Sequence, residues 1–587
     1  MYLEKIQSPT DIKKYNETQL KDLASEMRNA LIQKTSACGG HLGPNLGVVE
    51  LTIALHYVFD SPIDKFVFDV SHQSYCHKML TGRAQAFLDK EKYSSVTGFS
   101  EPLESEHDFF SVGHTSTGIS LGIGLAKGRD ALGASENIIV IVGDGSLGGG
   151  QAFEGLNYAA EYGKNLIIVL NDNDMSIAEN HGGLYDHLRI LRESNGTCSN
   201  NIFKSFGLDY KYCAEGHSIE KLIKILSSLK GIDHPIVFHV KTQKGKGYSF
   251  AENEREKWHQ ARPYNISTGE FLTGVPKENY GAIVGDHLLD LMNKDKSVVV
   301  VTAGTSICIG FDERRRRLGG SQFIDVGIEE QNGVTIAAAI AKRGGKAIFS
   351  TNSTFLQRAY DQIEQEMCIS SCPATIIVTH ASVFGHNTVT HMGLFDIPLL
   401  ANIPNLVYMA PTNKEEYLAM IDWSIQQDKY PVAIRTPWNG VHSAKQDVER
   451  DYSRINKSIV TRSGNKVAIF ALGSFYQLGE EVVAMLKEKY RIEATLINPR
   501  YISGIDQELL DCLKADHELV VTLEDGYLYG GFGARIAQYY GTTEMKVLCC
   551  GFHTEIVSRY NAQEMLHDNE LEPIQIVDNI IKALNQK

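Results

Sequence analysis

Asn137-Ile-Ile-Val-Ile-Val-Gly-Asp-Gly-Ser-Leu-Gly-Gly-Gly150 and, a little further on, Asn165-Leu-Ile-Ile-Val-Leu-Asn-Asp-Asn173 decide the fold. Each opens with a short apolar run bounded by turn residues, the pattern of a strand buried on both faces of a parallel sheet. Between them, Gln151 to Tyr162 carries Phe153, Leu156 and Ala160 at helical spacing. The unit predicted is strand, glycine-rich turn, helix, strand. Neighbouring parallel strands end on one edge, so Asp144 and Asn173 converge there although distant in sequence. A hard cation such as Mg2+ suits Asp144, Asn173 and the Met175 carbonyl, while the glycine-rich turn lets backbone N–H groups at Gly145 and Ser146 approach a diphosphate. A lone Gly-Asp-Gly would read as a tight turn without ligand; the second strand and its Asn favour the metal-diphosphate cradle.

The chain has 587 residues and 43% apolar content, enough for three or four globular domains. No stretch approaches the roughly 20 apolar residues of a membrane span, and the start lacks the basic-then-apolar order of a secretory signal. A cytoplasmic protein without membrane partners is expected. The net charge of -14 opposes nonspecific nucleic-acid binding and leaves any anionic substrate dependent on local basic groups. Ten scattered cysteines lack a zinc pattern and read as reduced, mostly buried thiols.

Polar, turn-rich sequence from Ala251 to Asn279 closes a first α/β block, and a second starts with a helix around Ile283 to Met292. Strands expected at Ser297 to Thr302, Ala347 to Ser350, Ala374 to Val378 and Pro431 to Arg435 alternate with helices. A polar stretch from His442 to Ser463 precedes a third block with strands at Val467 to Ala471, Ala494 to Ile497 and Leu519 to Leu523. The expectation is three consecutive doubly wound α/β domains, 1–276, 277–442 and 443–587. Arg314 to Arg317 reads as a solvated helix face.

Further segments carry a resemblance spanning nearly the whole chain: Cys38-Gly-Gly-His-Leu-Gly43, Asp69-Val-Ser-His-Gln-Ser-Tyr-Cys-His-Lys-Met-Leu-Thr-Gly82, Ser111-Val-Gly-His-Thr-Ser-Thr117, Asn171-Asp-Asn-Asp-Met-Ser-Ile177, Lys244-Gly-Lys-Gly-Tyr248 and Ser353-Thr-Phe-Leu-Gln-Arg-Ala-Tyr-Asp-Gln362. Together they resemble the 1-deoxy-D-xylulose-5-phosphate synthase family of transketolase-like thiamine diphosphate enzymes. The resemblance implies a diphosphate-binding domain, a pyrimidine-binding domain, a transketolase-type third domain and a homodimer. The segment from Asn180 to Phe203 is shorter than is usual in the family, which alters a loop near the site.

The resemblance also assigns roles. Glu330, in Ile328-Glu-Glu-Gln331 after an expected strand at Gln322 to Val326, matches the carboxylate that hydrogen-bonds the aminopyrimidine and drives its proton transfer. Read without it, Glu330 is a helix-capping carboxylate. Of 20 histidines, the resemblance gives roles to five: His41 and His259 beside the reactive carbon, His72 and His114 around the cofactor, His391 on the acceptor side. Imidazoles titrate near neutral pH and suit proton delivery there. Lys244 matches a diphosphate contact, Phe355 an aromatic on the pyrimidine, and Arg358 a catalytic position in the same segment; packing is the competing account for the last two.

The acceptor side departs from the family. Its Asp-Arg-Ala-Gly is Thr379-His-Ala-Ser382 here, and its Gly-Ala-Asp-Gly-x-Thr-His is Gly385-His-Asn-Thr-Val-Thr-His391. Its Arg-Tyr-Pro-Arg is Arg435-Thr-Pro-Trp438, and a tyrosine is replaced by Asn352. His380 and Trp438 therefore stand where the family's two phosphate-gripping arginines are, and Asn387 replaces an Asp. Charge-assisted hydrogen bonds contribute about 1.5–3 kcal/mol each, so losing two weakens phosphate binding by roughly two to four powers of ten. Arg435 is a candidate to compensate. Three readings follow: the family reaction of pyruvate with glyceraldehyde 3-phosphate; the same chemistry with another, non-phosphorylated aldehyde; and a catalytically silent thiamine-binding protein.

Overall fold

The computed structural model describes residues 1–274, 278–385, 388–438, 440–557 and 561–586. The chain packs as two compact units, residues 1–275 with 327–329 and residues 276–326 with 330–587.

The first unit is built on a parallel five-stranded sheet of β1 (Lys65–Phe68), β2 (Ile138–Gly143), β3 (Leu166–Asp172), β4 (Asp209–Cys213) and β5 (Pro235–Lys241), in the order β1-β2-β3-β5-β4. Side chains alternate across a strand, so each apolar run feeds two cores. Val140, Val142, Ile168 and Leu170 pack with Ile123 and Leu156 from helices Gly118–Ala131 and Gly150–Tyr162. Ile139, Ile141, Ile167 and Val169 face Leu55 and Leu226 from helices Val49–Val58 and Ile219–Leu229. The strand-turn-helix-strand unit expected around Asp144 is present, its boundaries shifted by one or two residues.

The second unit holds two sheets. One comprises β6 (Val298–Thr302), β7 (Phe323–Asp325), β8 (Lys346–Asn352), β9 (Thr375–Thr379), β10 (Val407–Met409) and β11 (Val432–Arg435), all parallel in the order β10-β11-β9-β8-β6-β7. The other comprises β12 (Ile459–Arg462), β13 (Lys466–Ala471), β14 (Thr495–Asn498), β15 (His517–Tyr527) and β16 (Lys546–Phe552), in the order β12-β14-β13-β15-β16, with β12 antiparallel at the edge. The two share a core in which Phe349 and Val378 join Phe470, Ile497 and Val520. The α/β, doubly wound architecture is as expected; the expected boundary at 276/277 lies outside the described residues.

Two expectations need adjustment. The arginine run is helical, over Glu313–Gly319, but Arg316 is buried, its Nη1 donating to Ser306 Oγ at 3.3 Å and the Phe311 carbonyl at 3.2 Å. A run of like charges hides which member turns inward when its partners are uncharged, a hydroxyl and a backbone carbonyl. All ten cysteines are free thiols, but only five are buried. No helix among the described residues is long and apolar enough to cross a membrane.

Candidate active site

The first unit gathers most of the expected residues. β2 runs through Gly143 into the helical turn Asp144–Leu147, and β3 delivers Asn173 just past its end. Asp144 is buried, and its Oδ2 accepts from the Met175 N–H at 3.0 Å and Asn180 Nδ2 at 2.8 Å, drawing the two strand ends together. Burial, and next the Asp172 charge, push the Asp144 carboxyl above the usual carboxylate range. Asn173 Oδ1, Asn180 Oδ1 and Ser176 Oγ are buried with no hydrogen-bond partner. Buried oxygens left unsatisfied beside a destabilised carboxylate are what a hard cation relieves. Among the described residues no three His, Cys, Asp or Glu side chains form a metal cluster.

The glycine-rich turn after β2 is as tightly built. A Cβ on Gly145 would sit 2.8 Å from Ser176 Oγ and 2.9 Å from its Cα, so the two turns approach this closely only with glycine there. Ser116 Oγ donates to the Ser146 carbonyl at 2.8 Å, and the N–H groups of Ser116 and Gly118 donate to Asp69 at 2.9 and 2.8 Å. These bonds fix the loop carrying half-buried His114 between the turn and Asp69, just past the end of β1. Lys244 Nζ is buried and donates to the Ser176 carbonyl at 2.6 Å; burial pulls it down to about 7 against the opposing pull of Asp144.

Glycine also assembles the histidines. Gly40 and Ala261 exchange backbone hydrogen bonds at 2.9 and 2.8 Å, and the Gly43 N–H donates to the Trp258 carbonyl at 2.9 Å, where a Cβ would meet that oxygen at 2.7 Å. Asn45 Nδ2 then ties the His41 and His72 carbonyls at 2.7 and 2.8 Å. Ring centroids lie 5.3 Å apart for His41–His72, 5.7 Å for His41–His259 and 5.3 Å for His72–His259. Burial holds His72 and His259 well below the ordinary histidine range, helped by the positive field of Lys244. Both are neutral near pH 7, and Nδ1 of each is buried without a partner.

In the second unit Glu330 opens helix Glu330–Lys342, where a carboxylate suits the helix N-terminus, and it is 1% exposed. Arg358 Nη1 donates to its Oε2 at 3.1 Å. Phe355 meets the His391 ring at 5.4 Å. Asn352, at the end of β8, accepts from Thr379 Oγ1 at 2.9 Å, and the His380 ring lies against Trp438 with centroids 4.3 Å apart. His380 has a left-handed φ of 53°, uncommon for a residue with a Cβ, and Trp438 Nε1 is buried without a partner. Asn387 lies outside the described residues.

Arg435 corrects an expectation. Its Nε donates to Asp396 Oδ2 at 2.7 Å, its Nη2 to the Asp525 carbonyl at 3.1 Å, and its Nη1 to Asp525 Oδ1. At 2% exposure with two carboxylates already on its guanidinium, it does not stand in for a phosphate-binding arginine. The spacing of β11 showed the residue but not its partners, which come from distant segments.

Sequence reading missed Asn180, although it follows the matched Asn171 to Ile177 segment closely, and the ion pairs behind the Asn173 turn, which no local signal announces. Residues 3–199 and 194–242 match the 1-deoxy-D-xylulose-5-phosphate synthase family, 277–441 the transketolase pyrimidine-binding domain and 456–576 the transketolase C-terminal domain. The chain is 36% identical to the 1-deoxy-D-xylulose-5-phosphate synthases of Alkaliphilus oremlandii and Caldanaerobacter subterraneus, covering 100% of this chain and 99% of each relative. Among solved structures, a transketolase from Campylobacter jejuni is 17% identical over 97% of this chain and 100% of its own, with a TM-score of 0.43. With its matched motifs, its parallel sheets and full-length relatives, this chain belongs to the 1-deoxy-D-xylulose-5-phosphate synthase family.

Proposed function

We propose that the chain condenses pyruvate with D-glyceraldehyde 3-phosphate to give 1-deoxy-D-xylulose 5-phosphate and CO2, using thiamine diphosphate and Mg2+. The observation that carries this reading is family membership over the full chain, joined to the partnerless oxygens around Asp144. Bound thiamine diphosphate supplies a nucleophilic carbon for the 2-oxo acid and a ring that accepts the electron pair released with CO2. Asp144, Asn173 and the Met175 carbonyl would hold Mg2+; Gly145, Ser146, His72, His114 and Lys244 would hold the diphosphate.

Glu330 would keep a proton at the aminopyrimidine nitrogen, its carboxylate fixed by Arg358, with Phe355 packed on the pyrimidine. His41 and His259 serve the donor carbon. Burial keeps His259 uncharged, so it can meet the donor carbon as a neutral imidazole. His391, Asn352, His380 and Trp438 line the acceptor side. The relatives are named for a phosphorylated product, and neither a non-phosphorylated acceptor nor a catalytically silent protein gains support from them. We also read three domains, 1–276, 277–442 and 443–587, a homodimer by family resemblance, reduced thiols and a cytoplasmic location.

The test is CO2 release from pyruvate with both cofactors present, adding glyceraldehyde 3-phosphate or glyceraldehyde. The phosphorylated triose is expected to saturate at the lower concentration; equal saturation by glyceraldehyde would return the changed-acceptor reading.

A further inference from the structure

Asn173 sits between two acidic residues that are themselves restrained. Asp172 is fully buried, and its carboxylate receives four donations: Arg192 Nη1 at 2.8 and 2.7 Å, His239 Nε2 at 2.8 Å and the Asp174 N–H at 3.1 Å. A carboxylate offers about four lone-pair directions, so Asp172 has none left for a cation. His239 stands on β5 opposite Leu170 of β3, and its Nδ1 lies 2.8 Å from the Tyr210 hydroxyl. With that hydroxyl donating, the ring carries its proton on Nε2 and points it at Asp172.

Arg192 reaches further. It lies near the end of helix Gly183–Glu193, inside the shortened segment, and its Nη2 donates to Asp174 Oδ1 at 2.7 Å. Asp174 has a left-handed φ of 60°, a conformation costly for a residue with a Cβ, which persists where surrounding contacts enforce it. One planar guanidinium thus grips the residues before and after Asn173, fixing the turn that presents Asn173 Oδ1 and leads into Met175.

We infer that Arg192, with Asp172 and His239, forms a positioning clamp that presets the Asn173–Met175 turn for the cation and keeps Asp172 from becoming a ligand. The clamp rests on the reading of Asp144, Asn173 and Met175 as the Mg2+ site. Without Arg192, the buried Asp172 charge is freed, the Asp174 side chain loses its anchor, and Asn173 must be ordered when the cation arrives. Weaker cation binding follows, with the chemistry downstream intact once the site is filled.

The experiment titrates Mg2+ calorimetrically into the full-length protein with saturating thiamine diphosphate, alongside the Mg2+ dependence of turnover. Arg192→Ala is expected to raise the half-saturating Mg2+ concentration at least tenfold in both measurements, with turnover recovering at high Mg2+. Arg192→Lys, which keeps the charge but not the two-residue fork, should recover part of the affinity. Wild-type Mg2+ affinity in Arg192→Ala overturns the clamp, as does lost turnover that no Mg2+ concentration restores. Should Arg192→Ala fail to fold, Arg192→Lys decides by the same criteria. Asp144→Asn is the control: if it too binds Mg2+ normally, the cation site itself is misassigned.

Discussion

Glu330→Gln is expected to lower kcat by about 10²–10⁴ while leaving the protein folded, the range over which a positioned acid or base contributes. Glutamine keeps the size of the side chain and one oxygen for Arg358, which sits 3.1 Å away, but cannot carry the charge that holds a proton at the cofactor. The loss corresponds to about 3–5 kcal/mol of transition-state stabilisation. Glu330 is almost wholly buried at the first residue of its helix, so the competing account is structural: a carboxylate favoured by the helix dipole and by Arg358. The two accounts separate in one pair of measurements. If Glu330 acts on the cofactor, turnover collapses and the thermal midpoint moves little; if it only caps the helix, the midpoint drops and the surviving folded enzyme turns over normally.

Arg435→Leu is expected to destabilise the second unit strongly. Asp396 is 3% exposed and Asp525 fully buried, and the Tyr408 hydroxyl also donates to Asp396. Asp525 Oδ2 already lacks a partner. Removing the cation strands two carboxylates in a region of low dielectric, which costs about 3–5 kcal/mol for a buried pair. Differential scanning calorimetry should show the corresponding transition lowered by roughly 6–20 °C. Arg435→Lys keeps the charge without the fork and should fall between the two. An unchanged midpoint together with a raised KM for the phosphorylated acceptor would instead make Arg435 a substrate ligand.

Much of the fold was written in local pattern. The runs at Ile138–Gly143 and Leu166–Asp172 are short, apolar and bounded by turn residues, and both proved to be neighbouring parallel strands, because a strand buried on both faces needs no other signal. Asp144 and Asn173 were legible for the same reason: their positions at strand ends follow from the sheet. Arg192, His239 and Arg435 were not. Each works through carboxylates that the fold, not local spacing, brings within reach: Asp172 and Asp174 lie a whole helix before Arg192, Asp172 faces His239 across neighbouring strands, and Asp396 and Asp525 come together around Arg435 from distant segments. Periodicity reports which way a residue faces, not what waits there. Histidine pairing was intermediate: motif membership singled out His41, His72 and His259, while the glycine contacts that bring their rings within 6 Å became visible only in three dimensions.

The central claim, that the ends of β2 and β3 form a cation-dependent diphosphate cradle, is tested most directly by calorimetric titration of thiamine diphosphate into the full-length chain with Mg2+ and again with excess EDTA. Saturable binding with Mg2+ that disappears in EDTA is the predicted result. Equal binding in both conditions, or none in either, would contradict it.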